Sequence, residues 1–109
     1  MAGIKIVKKN RDFRRTFAKG ASAADRSLVL YIYNKRDREK RFGFSVSKKV
    51  GKAVVRNRVK RLLREACRLN LDAFPNGKDY IIIARKEVVA EDFHTITKKI
   101  LKLLQRLLK

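Results

Sequence analysis

Residues 42–68 read FGFSVSKKVGKAVVRNRVKRLLREACR, and the fold turns on a change of rhythm inside that run. From Arg41 to Ser47 the side chains alternate, with Phe42, Phe44 and Val46 set against Gly43, Ser45 and Ser47. A period of two is that of a strand whose faces meet different surroundings. From Val54 to about Leu71 the apolar residues Val55, Val59, Leu62, Leu63 and Ala66 instead recur at helical spacing. One stretch therefore predicts a strand, a basic connection and an amphipathic helix.

Working outward, Ser27 to Asn34 (SLVLYIYN) is rich in β-formers and predicts another strand. Leu28, Leu30 and Ile32 mark one face, and Val29, Tyr31 and Tyr33 the other. With Lys35 to Lys40 as a polar loop, the two strands predict a hairpin. One face of that hairpin is aliphatic and aromatic, suited to packing on helices. The other sets small residues beside tyrosines, a shallow groove for a ligand or simply a half-exposed sheet surface. Upstream, Arg11 to Lys19 predicts a short helix, with Asn10 as N-cap, Phe13 and Phe17 on one face and Gly20 at its end. Downstream, Pro75-Asn76-Gly77 marks a turn, and Tyr80 to Ala84, with three isoleucines in succession, a strand buried on both faces. A last helix starts near Glu91 or Asp92 and buries Phe93, Ile96, Ile100, Leu104 and Leu107. The expectation is a single α+β domain over residues 1–109: a small two-layer sandwich, its sheet mainly antiparallel and covered by helices, in the order α-β-β-(β)-α-β-α. The pattern leaves open a further short strand near residues 21–26 or 48–53.

The charge is far from ordinary. Thirty Lys and Arg stand against ten Asp and Glu, a net +20 in 109 residues. Such a chain repels itself when compact and attracts polyanions from a distance. Nucleic acid is the first candidate and an anionic membrane surface the second. No apolar run approaches the roughly 20 residues that span a bilayer. The N-terminal residues MAGIKIVKKNRDFRR hold no apolar core of signal-peptide length. Cys67 is the only cysteine, so no internal disulfide forms, and the expected location is the cytoplasm.

Charge is densest between Lys48 and Arg68, where nine basic residues face Glu65 alone. On the helix, Asn57, Lys60, Arg61, Arg64 and Arg68 fall at i, i+3, i+4, i+7 and i+11, opposite the apolar stripe. Like charges at that spacing destabilise a helix unless a polyanion compensates them. Arginine adds bidentate contacts to phosphate, and asparagine can address a phosphate or a base edge. Lys48, Lys49, Lys52, Arg56, Asn57, Arg58, Lys60, Arg61, Arg64 and Arg68 are the candidate RNA-binding residues.

The same run resembles the signature of the bacterial ribonuclease P protein family, centred on Arg56-Asn57-Arg58, then Val59-Lys60-Arg61 and Arg64-Glu65. Three further pieces match in order: KKNRDFRRTFAKG near the start, the strand SLVLY, and KDYIIIARK at residues 78–86. The resemblance covers about residues 8 to 86. It implies a fold like that of ribosomal protein S5 domain 2, with a left-handed β-α-β crossover. It also implies a subunit of an endonuclease that removes the 5′ leader of precursor tRNA, paired one to one with a catalytic RNA that holds most of the Mg²⁺. Docking on that RNA would run through the Arg-Asn-Arg region. The leader would lie in a cleft carried onto Phe13, Phe17, Val29, Tyr31, Ser45, Lys49, Asn57, Lys60, Arg61 and Arg64. Exposed aromatics in that cleft would stack on unpaired bases, although Phe13 and Phe17 would also serve simply to fasten the first helix to the sheet.

No protein-based active site is legible, so no catalytic or metal-binding residue is assigned. His94, the only histidine, falls in the first turn of the last helix, and Cys67 borders the apolar stripe. One Cys and one His make no structural zinc set. The acidic residues are scattered, and Glu65 reads as an ion-pair partner for its neighbouring arginines. A ribosomal or other structural RNA-binding protein is the alternative, which the Phe42–Arg68 run disfavours. A helix-turn-helix DNA reader is disfavoured by the strands that flank the basic helix.

Overall fold

The computed structural model describes residues 3–109. Its strands are β1 (Lys5–Ile6), β2 (Ala21–Ala24), β3 (Leu28–Asn34), β4 (Lys40–Val46) and β5 (Lys78–Ala84), and its helices α1 (Asn10–Lys19), α2 (Ala53–Leu69) and α3 (Phe93–Leu108). Short 3-10 turns at Leu71–Ala73 and Lys86–Ala90 flank β5. The strands form one sheet in the order β1-β4-β5-β3-β2. The α+β expectation therefore holds, and β2 fills the first of the two places left open for an extra strand.

Two expectations need correction. β3 and β4 do not form a hairpin, because β5 lies between them, antiparallel to β3 and parallel to β4. The isoleucines of β5 are the reason: a strand apolar on both faces is most stable with a neighbour on each edge. Residues 35–39 are long enough to cross the roughly 10 Å that an inserted strand adds. The sheet is consequently mixed, since β1 also runs parallel to β4 while β2 is antiparallel to β3. In addition, the helices do not share one face. α2 and α3 cover the Leu28/Leu30/Ile32 face, and α1 lies across the Tyr31/Tyr33 face.

The main core fills the space between the sheet and the α2–α3 pair. Leu28, Leu30, Phe42, Tyr80 and Ile82 meet Val59, Leu63, Ala66, Ile96, Ile100, Leu103 and Leu104, all buried. At about 1.5–3 kcal/mol for each large apolar side chain, this layer dominates stability. Phe42, Phe74 and Tyr80 form an aromatic triangle with centroids 5.0–5.3 Å apart, closed by the Tyr80 hydroxyl donating to the Pro75 carbonyl at 2.6 Å. Cys67 is buried among them, and that burial pushes its thiol well up.

Helix ends follow local chemistry in part. The carboxylate of Asp92 caps α3 by accepting the Thr95 amide at 2.8 Å. Asn10 does not cap α1; it is the first helical residue, and Lys9 occupies the cap position. At the other end of α1, a β-carbon on Gly20 would sit 2.6 Å from the Thr16 carbonyl oxygen and 2.7 Å from that of Ile32. Only glycine lets the helix stop that close to β3.

A basic cleft between the first helix and the second

α1 is held on the sheet by aromatic contacts. Phe17 meets Tyr31 edge-on at 5.0 Å, and Phe13 lies 6.2 Å from Phe17. Phe13 reaches over Gly43, whose missing side chain makes room for the ring. These rings fasten the helix to the sheet, and Phe17 nevertheless remains 39% exposed. Val29, Ile83 and Ser45 form the next row across three strands on the same face, all half-buried.

β1 pairs with β4 only at Arg41 and Phe42, so the β4 edge is open beyond that point. There a cavity of about 390 Å³ is lined by Ile6, Val7, Phe13 and Phe44 on one side and Asn57, Lys60, Arg61 and Arg64 on the other. It joins the first helix, the sheet and the basic helix in a single space. Of the cleft residues expected from sequence, it brings together Phe13, Asn57, Lys60, Arg61 and Arg64. Phe17, Tyr31, Val29, Ser45 and Lys49 are not in its wall; the first four continue from Phe13 along the outer face of the sheet, and Lys49 lies in the connection before α2. Ile6, Val7 and Phe44 carry no such signal in the sequence: β1 is too short to leave a pattern, and Phe44 shares the alternation of its strand's packing face.

On α2, Val59, Leu63, Ala66 and Cys67 face the core, and Asn57, Lys60, Arg61 and Arg64 are exposed on the opposite side. At about 100° per residue, Arg56 and Arg58 leave the helix on opposite flanks of that stripe. Arg58 is exposed, whereas Arg56 is half-buried with its Nε unpartnered. Lys48, Lys49 and Lys52 are exposed in the connection that leads into the helix. Among the described residues, none of these cations other than Arg68 makes an ion pair. Arg68 is bound by Glu65, as expected; its Nε donates at 3.1 Å, and the bond holds the Glu65 carboxyl below its usual range. The first turn of α2 holds no acid, so the positive end of the helix dipole adds to the surrounding cations. That arrangement costs folding energy and favours a bound polyanion.

No group of three or more His, Cys, Asp or Glu among the described residues could hold a metal ion, and His94 is exposed. No helix among them is long and apolar enough to cross a membrane. The outer face also carries a buried ion-pair network that periodicity does not reveal. Asp79, fully buried in β5, accepts from Arg41 Nε at 2.9 Å and Nη2 at 2.7 Å, with Lys35 at 3.1 Å and Arg15 at 3.4 Å. An aspartate inside the otherwise apolar run KDYIIIA was its only signal.

Sheet, cleft and a basic stripe in which, among the described residues, Arg68 alone is ion-paired define a small α+β protein suited to binding a polyanion. The profile of the ribonuclease P family matches residues 1–108. The ribonuclease P protein component of Desulforamulus reducens is 50% identical over 92 residues, covering 84% of this chain and 81% of that protein. That of Pelotomaculum thermopropionicum is 43% identical over 106 residues, covering 97% and 95%. Among solved structures, the ribonuclease P protein of Staphylococcus aureus superposes with a TM-score of 0.84 at 38% identity, with 92% of each chain covered. That of Thermotoga maritima gives 0.85 at 34%, covering 94% and 96%. The chain belongs to the ribonuclease P protein component family, RNA-binding subunits of an endoribonuclease that processes tRNA.

Proposed function

We propose that this chain docks on the catalytic RNA of ribonuclease P, one protein per RNA, and grips the 5′ leader of precursor tRNA while the RNA cleaves it. The observation that carries this reading is the 390 Å³ cleft, in which the Phe13 ring faces Asn57, Lys60, Arg61 and Arg64. A single strand needs both kinds of partner: a flat ring for a base and fixed cations for the phosphates beside it. The aromatic strip Phe13–Phe17–Tyr31 extends the platform to further unpaired bases. Lys48, Lys49, Lys52, Arg56 and Arg58, outside the cleft wall, contact the RNA subunit.

Hydrolysis belongs to the RNA. Mg²⁺, which the family's reaction uses, finds no carboxylate cluster among the described residues, and basic side chains line the cleft. The protein's work is to bind, orient and neutralise charge, in the cytoplasm. The test is holoenzyme affinity for precursors whose leaders are shortened one nucleotide at a time. Wild-type affinity falls as the leader retreats from the cleft. In Tyr31→Ala that dependence flattens, with a loss of about 1–3 kcal/mol for the full leader and little change for mature tRNA. Equal losses for precursor and mature tRNA, with folding intact, would show that this face does not hold the leader.

A further inference from the structure

A second cavity, larger at about 760 Å³, opens where the N-terminal end of α1 meets β3 and β4. Its floor is an ion-pair network that is close to balanced. Arg41 and Arg15 both reach Asp12 and Asp79, and Lys35 lies between Asp79 and Asp37. At its mouth Glu39 is neutralised by Lys5 at 2.6 Å, and the remaining charge is not balanced. Lys8, Lys9, Arg11 and Arg36 line the mouth, are exposed, and have no carboxylate partner among the described residues. The Arg15 guanidinium stacks on the Tyr33 ring at 4.7 Å, with its side chain 38% exposed and its Nε unpartnered. Ile6 lines both this cavity and the 390 Å³ cleft, so the two adjoin across β1.

We propose that this cavity is a further nucleotide subsite for the RNA strand held in the cleft, taking a phosphate on Lys8, Lys9, Arg11 and Arg36 and a base on the outer face of Arg15. The inference rests on the reading of the cleft as a single-strand site. The network beneath supplies what a stacking arginine needs. Buried carboxylates fix Arg15 and Arg41 in place, and the neutral floor leaves the net positive charge at the mouth, where a phosphate can reach it without losing all its water. A guanidinium plane already packed on tyrosine accepts a base with little further ordering. Contiguity through Ile6 makes the second site useful chiefly to a ligand that fills the first.

The test is binding of 3′-labelled oligoadenylates of ~4 and ~10 nucleotides to the full chain, followed by fluorescence anisotropy at fixed salt. Arg11→Ala/Arg36→Ala is expected to weaken the longer strand about tenfold and the shorter one by less than about twofold. Tyr33→Leu, which changes no charge, is expected to weaken only the longer strand. Lys98→Ala/Lys102→Ala on the exposed side of α3 controls for bulk charge and is expected to affect both strands alike and weakly. Losses in Arg11→Ala/Arg36→Ala that match this control, or that are equal for both lengths, would overturn the proposal. So would adenosine 5′-monophosphate binding as tightly as the longer strand, which would assign the cavity to a free nucleotide. Lys60→Ala/Arg61→Ala tests the cleft separately: if it spares the short strand while Arg11→Ala/Arg36→Ala still weakens the long one, the cleft reading fails and the second subsite stands.

Discussion

Gly43→Ala places one methyl group where α1 approaches the sheet most closely, and its consequence can be worked from the geometry. The new β-carbon would lie 2.8 Å from Phe13 Cζ, 2.9 Å from Cε1 and 3.3 Å from Ile81 Cγ1, where ordinary contact begins at 3.4 Å. Ile81 is fully buried and β4 is paired with β5 along its length, so neither can retreat. Phe13 is only half-buried, and its ring must move outward by about 0.6 Å. The same ring lines the cleft, so its displacement alters the cleft wall. Overpacking costs about 1–3 kcal/mol, and a ring with room to move sets the lower end. A loss of about 1 kcal/mol lowers Tm by about 4–8 °C in a chain of this size. Binding of a short single strand should fall about fivefold, the lower end of one base-stacking contact. Thermal unfolding and anisotropy read the two effects, and Phe13→Leu in the same background should recover most of the stability. Additive effects of the two substitutions, or a Gly43→Ala protein that binds and melts like wild type, would contradict this account of the cleft wall.

Asp79→Asn should be far costlier, about 3–5 kcal/mol in urea denaturation, because Arg41, Lys35 and Arg15 lose the buried carboxylate they share. Burial alone would raise the Asp79 carboxyl, but the hydrogen bonds from Arg41 and the Lys35 ammonium hold it below its ordinary 3.8. A depressed folded value gives stability that is present above 3.8 and lost as pH falls through it, so wild type should lose an increment below about pH 4 that Asp79→Asn does not. Cys67, buried with its thiol pushed up, should be alkylated by iodoacetamide only as fast as the chain unfolds; rapid labelling of native protein would contradict its place in the core.

Much of this was legible in the chain because periodicity reports burial directly. The helical spacing from Val55 to Ala66, the alternation of Leu28, Leu30 and Ile32, and the isoleucines of β5 each name an element and its buried face. What they do not name is which strand neighbours which. The run Ile81–Ile83 announces a strand buried on both sides, and that should have displaced the hairpin, since only a central strand is so buried. β1 was illegible because two residues have no period, and with it went Ile6 and Val7 as cleft walls. The position of α1 was hidden for a different reason. Phe13 and Phe17 announce an apolar face, but Gly43, the small residue that receives Phe13, reads as an empty groove until the helix is placed over it. The basic stripe was visible as charge, whereas the separation of Arg56 and Arg58 to opposite flanks of Asn57 follows only once the helix angle is applied.

The most direct measurement of the central claim is 5′ maturation of a precursor tRNA by a bacterial ribonuclease P RNA at low Mg²⁺, with and without the purified chain. The chain alone should leave the precursor intact and, added to the RNA, should accelerate cleavage at the mature 5′ end. Lys60→Ala/Arg61→Ala should lose much of that acceleration for a precursor with a full leader. Specific cleavage by a preparation shown to be free of RNA, or no acceleration by a correctly folded chain, would contradict it.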